Sequence, residues 1–96
     1  MDFAAVSDAL TRAATAMENN PQLDPDGAVR LAVWGDPETK YPGDNEPGAD
    51  LFDEASSAIE CFCGYQGNGI DRIPRRYAIE AARSEAARFA SYGGGS

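Results

Sequence analysis

Two kinds of side chain in this sequence could do chemistry: a pair of cysteines and a concentration of carboxylates. Cys61 and Cys63 stand one residue apart in "ECFC". A zinc site needs four ligands from cysteine, histidine or carboxylate, and the chain has two cysteines and no histidine. The dithiol redox signature is C-x-x-C, not C-x-C. We therefore expect both thiols to be packed in the core, where free cysteine is most often found.

The carboxylates are concentrated in the middle of the chain. Residues 24–54 hold nine acids against Arg30 and Lys40, a net charge of −7 out of −8 for the whole chain. The EF-hand spacing for calcium is not met, and a catalytic carboxylate pair needs a rigid scaffold that a Pro/Gly-rich loop does not provide. Two interpretations stay open: an anionic surface that fills a basic cleft on another protein, and a solvated loop without a partner.

Other enzymatic and cofactor signals are weak. Without histidine there is no Ser-His-Asp or Cys-His arrangement. The segment "GYQGNG" lacks the G-x-G-x-x-G spacing of dinucleotide loops. We therefore expect a protein that is not an enzyme and that uses no cofactor and no metal.

The acidity also restricts the kind of partner. With a net charge of −8 and an isoelectric point of about 4.2, the surface repels phosphate backbones and anionic membranes, so neither direct nucleic-acid binding nor membrane binding is expected. A basic protein partner is favoured instead. There is no apolar run near 20 residues and no signal-peptide pattern, and we expect a cytoplasmic location.

The elements that must position these groups are predicted from periodicity. Apolar residues at steps of three and four predict a helix over 2–19, and the same pattern after Pro74 predicts a final helix that ends at Gly93. Alternation predicts strands over 28–34 and 57–65, with "ADLFDE" or the loop adding a third or fourth. Residues 35–48, with three prolines and three glycines, predict a loop.

The fold class expected from this order is α+β. A small antiparallel sheet would pack against an N-terminal and a C-terminal helix in a single domain over residues 1–92, followed by a flexible Gly/Ser tail over 93–96.

Aromatic residues within or beside the acidic stretch could anchor a partner, since interfaces favour such rings. Tyr41 in "KYPGDNEPG" is the best candidate, whereas Trp34 is expected to pack against a helix. The predicted partner-binding residues are Asp36, Glu38, Tyr41, Asp44, Glu46, Asp50, Phe52, Asp53 and Glu54.

The C-terminal part, "AIECFCGYQGNGIDRIPRRYAIEAARSEAARFASYGG", resembles the first-numbered immunity-protein family of bacterial polymorphic toxin systems. That family has a strand, a glycine-bearing turn, and "IP" opening an alanine-rich helix. The matching residues are Ile73, Pro74, Ala78, Ala81, Ala82, Phe89 and Gly93. The resemblance implies an α+β fold, no enzymatic activity, and binding to a cognate toxin, often a nuclease or a nucleic-acid deaminase.

Together these observations predict an immunity or inhibitor protein that neutralises a basic partner, either a cognate toxin or a defence nuclease. Two other classes stay open. One is a phage anti-defence protein that imitates nucleic acid with the same carboxylates. The other is a small enzyme or metabolite-binding domain, which would need a concave pocket with convergent polar groups.

Overall fold

The computed structural model describes residues 2–43, 45–64 and 69–94, and these form an all-helical domain. The α-helices are α1 (Phe3–Asn19), α2 (Pro25–Trp34), α3 (Ala49–Cys63) and α4 (Arg75–Gly94), with a short 3₁₀ turn at Ile70–Arg72 before α4. Within the described ranges there is no β-strand. The predicted α+β fold with an antiparallel sheet is therefore wrong.

The predicted N-terminal helix is confirmed as α1. The Asp2 carboxylate accepts a hydrogen bond from the Ala5 amide at 3.2 Å and so caps the first turn. Val6, Leu10 and Met17 are fully buried on its inner face. The helix ends two residues before Pro21, which disfavours helical geometry in the residue preceding it.

The predicted C-terminal helix is confirmed as α4, which packs mainly on α1. Its buried face consists largely of alanines, which let the two backbones approach closely: Ala78, Ala81, Ala82 and Ala86. The Ser7 hydroxyl donates to the Ala86 carbonyl at 2.7 Å, and Arg75 donates to the Met17 carbonyl at 2.9 Å.

The helix α4 reaches Gly94, one residue beyond the predicted stop at Gly93. The first two residues of the tail expected over 93–96 are therefore helical, and residues 95–96 lie outside the described ranges. Further back in α4, Arg83 forms an ion pair with Glu18 of α1, while Glu85 pairs with Arg88 within the helix.

The strand predicted over 28–34 is instead the helix α2. Asp24 caps it by accepting from the Gly27 amide at 2.8 Å, and Pro25 occupies the first turn, where its missing N–H has no cost. Gly35 closes the helix in the left-handed conformation, with φ of 81°. Ala28 and Val29 are buried, so the segment uses a helical face rather than an alternating one.

The helix α3 contains "ADLFDE", one of the two places where a further strand was expected, and residues 57–63 of the strand predicted over 57–65. Tyr65 lies outside the described ranges. Phe52, Ala55 and Ile59 are buried at steps of three and four, which is the period of a helix. Gly64 ends α3 with φ of 73°. The inner faces of all four helices meet in one hydrophobic core.

Candidate functional site

The predicted partner-binding carboxylates lie on the α2–α3 loop and on the first turns of α3. The loop has turns and bends but no helix or strand in its described part, as predicted. Asp44 lies outside the described ranges. We call the remaining carboxylates the acidic surface, and five of its six residues are exposed while Glu54 is half-buried: Asp36, Glu38, Glu46, Asp50, Asp53 and Glu54.

An aromatic cluster of Trp34, Tyr41 and Phe52 holds this loop in place. The Trp34 ring stacks on Phe52 with centroids 5.3 Å apart, and Tyr41 contacts both rings at 6.4 and 5.8 Å. The indole N–H of Trp34 donates to the Pro47 carbonyl at 3.0 Å, and the Tyr41 hydroxyl donates to the Asp53 carboxylate at 2.9 Å. Both ends and the middle of the loop are therefore tied to α2 and α3.

The two predicted aromatic anchors are placed differently from the carboxylates. Phe52 is buried in the core, and Tyr41 is half-buried in the aromatic cluster. Trp34 packs against α3, which confirms the expectation that it contacts a helix. The rings thus support the loop from beneath, and the acidic surface presents carboxylates.

Arg30 is a further supporting residue that sequence reasoning missed. Its guanidinium lies over the Phe52 ring at 4.8 Å, pairs with Asp26 at 2.8 Å, and donates to the Thr39 carbonyl at 2.6 Å. The i, i+4 spacing of Asp26 and Arg30 is the signal that could have found this pair once a helix was assigned. One of the two bases of residues 24–54 is therefore used inside the structure.

Among the described residues, the carboxylates of the acidic surface form no salt bridge. The salt bridges within the described part of the chain join Arg12 to Asp8, Arg30 to Asp26, Arg83 to Glu18 and Arg88 to Glu85. None of the described carboxylates between residues 36 and 54 takes part in one. A carboxylate that is exposed and forms no salt bridge attracts an approaching cation with its own charge.

A recess of about 530 Å³ lies at one edge of the acidic surface, where the start of α1 meets the end of the loop and the start of α3. Asp2, Glu46 and Asp50 line it together with Leu51 and the backbone of the loop. Over the residues with described positions, no three acidic or cysteine side chains converge closely enough to hold a metal ion. The recess is therefore acidic, with three carboxylate residues among those that line it.

The cysteines do not occupy the positions expected for core thiols. Cys61 is exposed and Cys63 is half-buried at the end of α3, so the prediction that both are buried is wrong. The Cys63 thiol lies 3.7 Å from the Tyr77 carbonyl of α4. Burial and, to a smaller extent, the negative charge of Glu80 raise the pKa of Cys63, which favours its neutral thiol form.

Comparison with known proteins gives this chain no relative: no protein family, no curated protein and no solved structure matches it. The α+β fold implied by the immunity-protein resemblance is also not the fold of this chain. Across the described ranges, every helix is too short or too polar to cross a lipid bilayer.

Proposed function

We propose that this chain is a non-enzymatic inhibitor that acts in the cytoplasm and neutralises a basic protein, which it binds through the acidic surface. The partner is a nucleic-acid-targeting toxin or a defence nuclease. The proposal depends on the acidic surface and not on the family resemblance, because the fold implied by that resemblance is wrong.

One observation carries this proposal: the carboxylates of the acidic surface have no salt-bridge partner among the described residues, while the loop that bears them is tied to α2 and α3. A loop that is already ordered loses less conformational entropy on binding than a mobile one. Long-range attraction between an acidic surface and a basic one also speeds association. The aromatic cluster, Arg30 and the Tyr41–Asp53 hydrogen bond therefore serve binding by holding the loop in one conformation.

The same arrangement explains how such an inhibitor would act. A protein that cleaves or deaminates nucleic acid needs a positively charged cleft for the phosphate backbone. Carboxylates on a fixed loop compete for that cleft without offering a substrate. Inhibition would then be competitive with nucleic acid and would weaken as the salt concentration rises.

The proposal is tested by affinity capture followed by quantitative binding. The immobilised protein is exposed to lysate of the source cell at low salt, the captured protein is identified and purified, and its dissociation constant is measured between 50 and 500 mM NaCl. We expect one stoichiometric basic partner whose binding weakens by at least about tenfold over this range. Capture of no positively charged partner, or a dissociation constant that does not change with salt, would contradict the proposal.

A further inference from the structure

A second concave feature lies away from the acidic surface, where the end of α3 meets the start of α4. This cleft has a volume of about 270 Å³, and its walls among the described residues are Phe62, Cys63, Tyr77 and Glu80. Phe62 and Tyr77 are 47% and 45% exposed, so both rings are accessible to a ligand. The cleft is large enough for one long side chain.

The walls combine two aromatic rings with one carboxylate. Ring faces attract cations through their quadrupole, and a nearby carboxylate adds direct charge attraction. Glu80 lines the cleft beside Cys63, whose pKa is raised by burial and, to a smaller extent, by the charge of Glu80. An anionic or neutral polar ligand would gain neither attraction.

One of the two rings, that of Tyr77, already accepts a guanidinium group within the protein. Arg76 lies over the Tyr77 ring with its central carbon 4.8 Å from the ring centroid, and it donates to the Tyr77 hydroxyl at 3.0 Å. The walls of the cleft do not include Arg76. Arg76 therefore lies outside the space between the described walls of the cleft.

The cleft and the acidic surface are connected by α3. Asp53 and Phe62 are nine residues apart on this helix, about 14 Å along its axis and half a turn around it, so they lie on opposite sides of α3. A partner segment that reaches both must cross the outer side of the helix. A basic segment could thus place one cation in the cleft and others on the acidic surface.

We infer that the cleft between Phe62, Tyr77 and Glu80 receives a lysine or arginine side chain of the basic partner. This inference rests on the proposed function for the identity of the partner. It adds a specific anchoring pocket to a surface that otherwise attracts by charge alone, and buried anchors of this kind contribute much of the affinity in protein interfaces.

The cleft can be probed without the partner. The ¹⁵N-labelled full chain is titrated with n-butylguanidinium chloride, with sodium chloride at equal ionic strength, and with n-butylurea as a neutral analogue of similar shape. We expect saturable shifts of the Phe62, Cys63, Tyr77 and Glu80 amides with the guanidinium compound, and binding of butylurea that is at least about threefold weaker. Equal binding of the two compounds, or shifts spread over the whole surface, would overturn the inference.

Two variants separate the contributions of charge and ring. Glu80→Gln removes the charge and keeps the shape, whereas Phe62→Leu removes the ring face and keeps an apolar wall. Each should weaken butylguanidinium binding by at least about threefold and leave butylurea binding unchanged. If neither variant changes the dissociation constant, the cleft is not a cation site.

The outcome is independent of whether the larger proposal holds. A variant with Glu38→Gln, Glu46→Gln and Asp50→Asn should keep its butylguanidinium binding, because these residues are not in the cleft. If the proposed function is wrong, the cleft will bind butylguanidinium normally but no basic partner will be captured. If this inference is wrong, a basic partner will bind Glu80→Gln and the unmodified chain equally.

Discussion

The hydroxyl of Tyr41 donates a hydrogen bond to the carboxylate of Asp53 across 2.9 Å, which joins the middle of the α2–α3 loop to the first turns of α3. Tyr41→Phe should keep the ring packing on Trp34 and Phe52 and lose this bond. We expect a loss of about 0.5–1.5 kcal/mol in the free energy of unfolding, measured by urea denaturation. Asp53→Asn is the control, because its side-chain oxygen can still accept the bond. If Asp53→Asn lowered the free energy of unfolding as much as Tyr41→Phe, the hydrogen bond would not be the cause of the loss.

Gly48 should tolerate substitution less well than Gly64. Both have positive φ, 87° and 73°, but a Cβ at Gly48 would overlap the Trp34 indole, whereas no atom of the described residues lies within 4 Å of one at Gly64. We expect Gly48→Ala to lower the free energy of unfolding by about 3 kcal/mol and Gly64→Ala by about 1 kcal/mol. Equal losses would show that the loop is not packed against Trp34.

Ser56 should be improved by substitution. Its hydroxyl is buried and has no hydrogen-bond partner among the described residues, and such a group costs about 1–3 kcal/mol. Ser56→Ala is expected to raise the free energy of unfolding by about 1–2 kcal/mol, whereas Ser57→Ala, on the exposed side of the same helix, should gain only about 0.5 kcal/mol from helix propensity. The difference between the neighbours isolates the buried hydroxyl, and a difference of zero would show that Ser56 has a partner.

The two thiols should react at different rates. Cys61 is exposed, while burial and Glu80 raise the pKa of Cys63 and so reduce its thiolate fraction at pH 8. The Cys63→Ser variant, which keeps Cys61, should react with a disulfide reagent several-fold faster than Cys61→Ser, which keeps Cys63. The reaction rate of Cys63 should rise with pH, and the pH at which it reaches half its maximum should be higher than for an ordinary cysteine. In denaturant the two variants should react at the same rate. A rate difference that persists in denaturant would mean that the neighbouring residues in the sequence, and not the fold, cause it.

The terminal helices could be predicted from sequence because their apolar residues repeat with the helical period over their whole length. The helix α2 was missed because the alternation of Val29, Leu31 and Val33 also fits a strand. The helix α3 was missed because Ile59, Cys61 and Cys63 alternate in the same way. The end signals favoured a helix: Asp24 and Pro25 are typical of a helix start, and Gly35 of a helix end. Within α3, only a window that includes Phe52 and Ile59 reveals the helical period.

The charge of the candidate site could be predicted from the sequence, but the contacts that hold its loop in place could not. Composition alone located the carboxylates, because a net charge of −7 over residues 24–54 needs no structure to be recognised. The roles of Arg30 and Trp34 depend on α2 lying against α3, which periodicity could not indicate once both segments were read as strands. The burial of Phe52 follows from the same packing.

The central claim is that the position of the carboxylates, and not the total charge, determines binding to the basic partner. The measurement compares two variants with the same change in net charge: Glu38→Gln, Glu46→Gln and Asp50→Asn on the acidic surface, against Asp8→Asn, Glu18→Gln and Asp71→Asn elsewhere. Circular dichroism should first show that both are folded. Titration calorimetry with the captured partner at 100 mM NaCl should then show at least about tenfold weaker binding for the first variant and less than about threefold for the second. Equal weakening of the two, or unchanged binding of the first, would contradict the account.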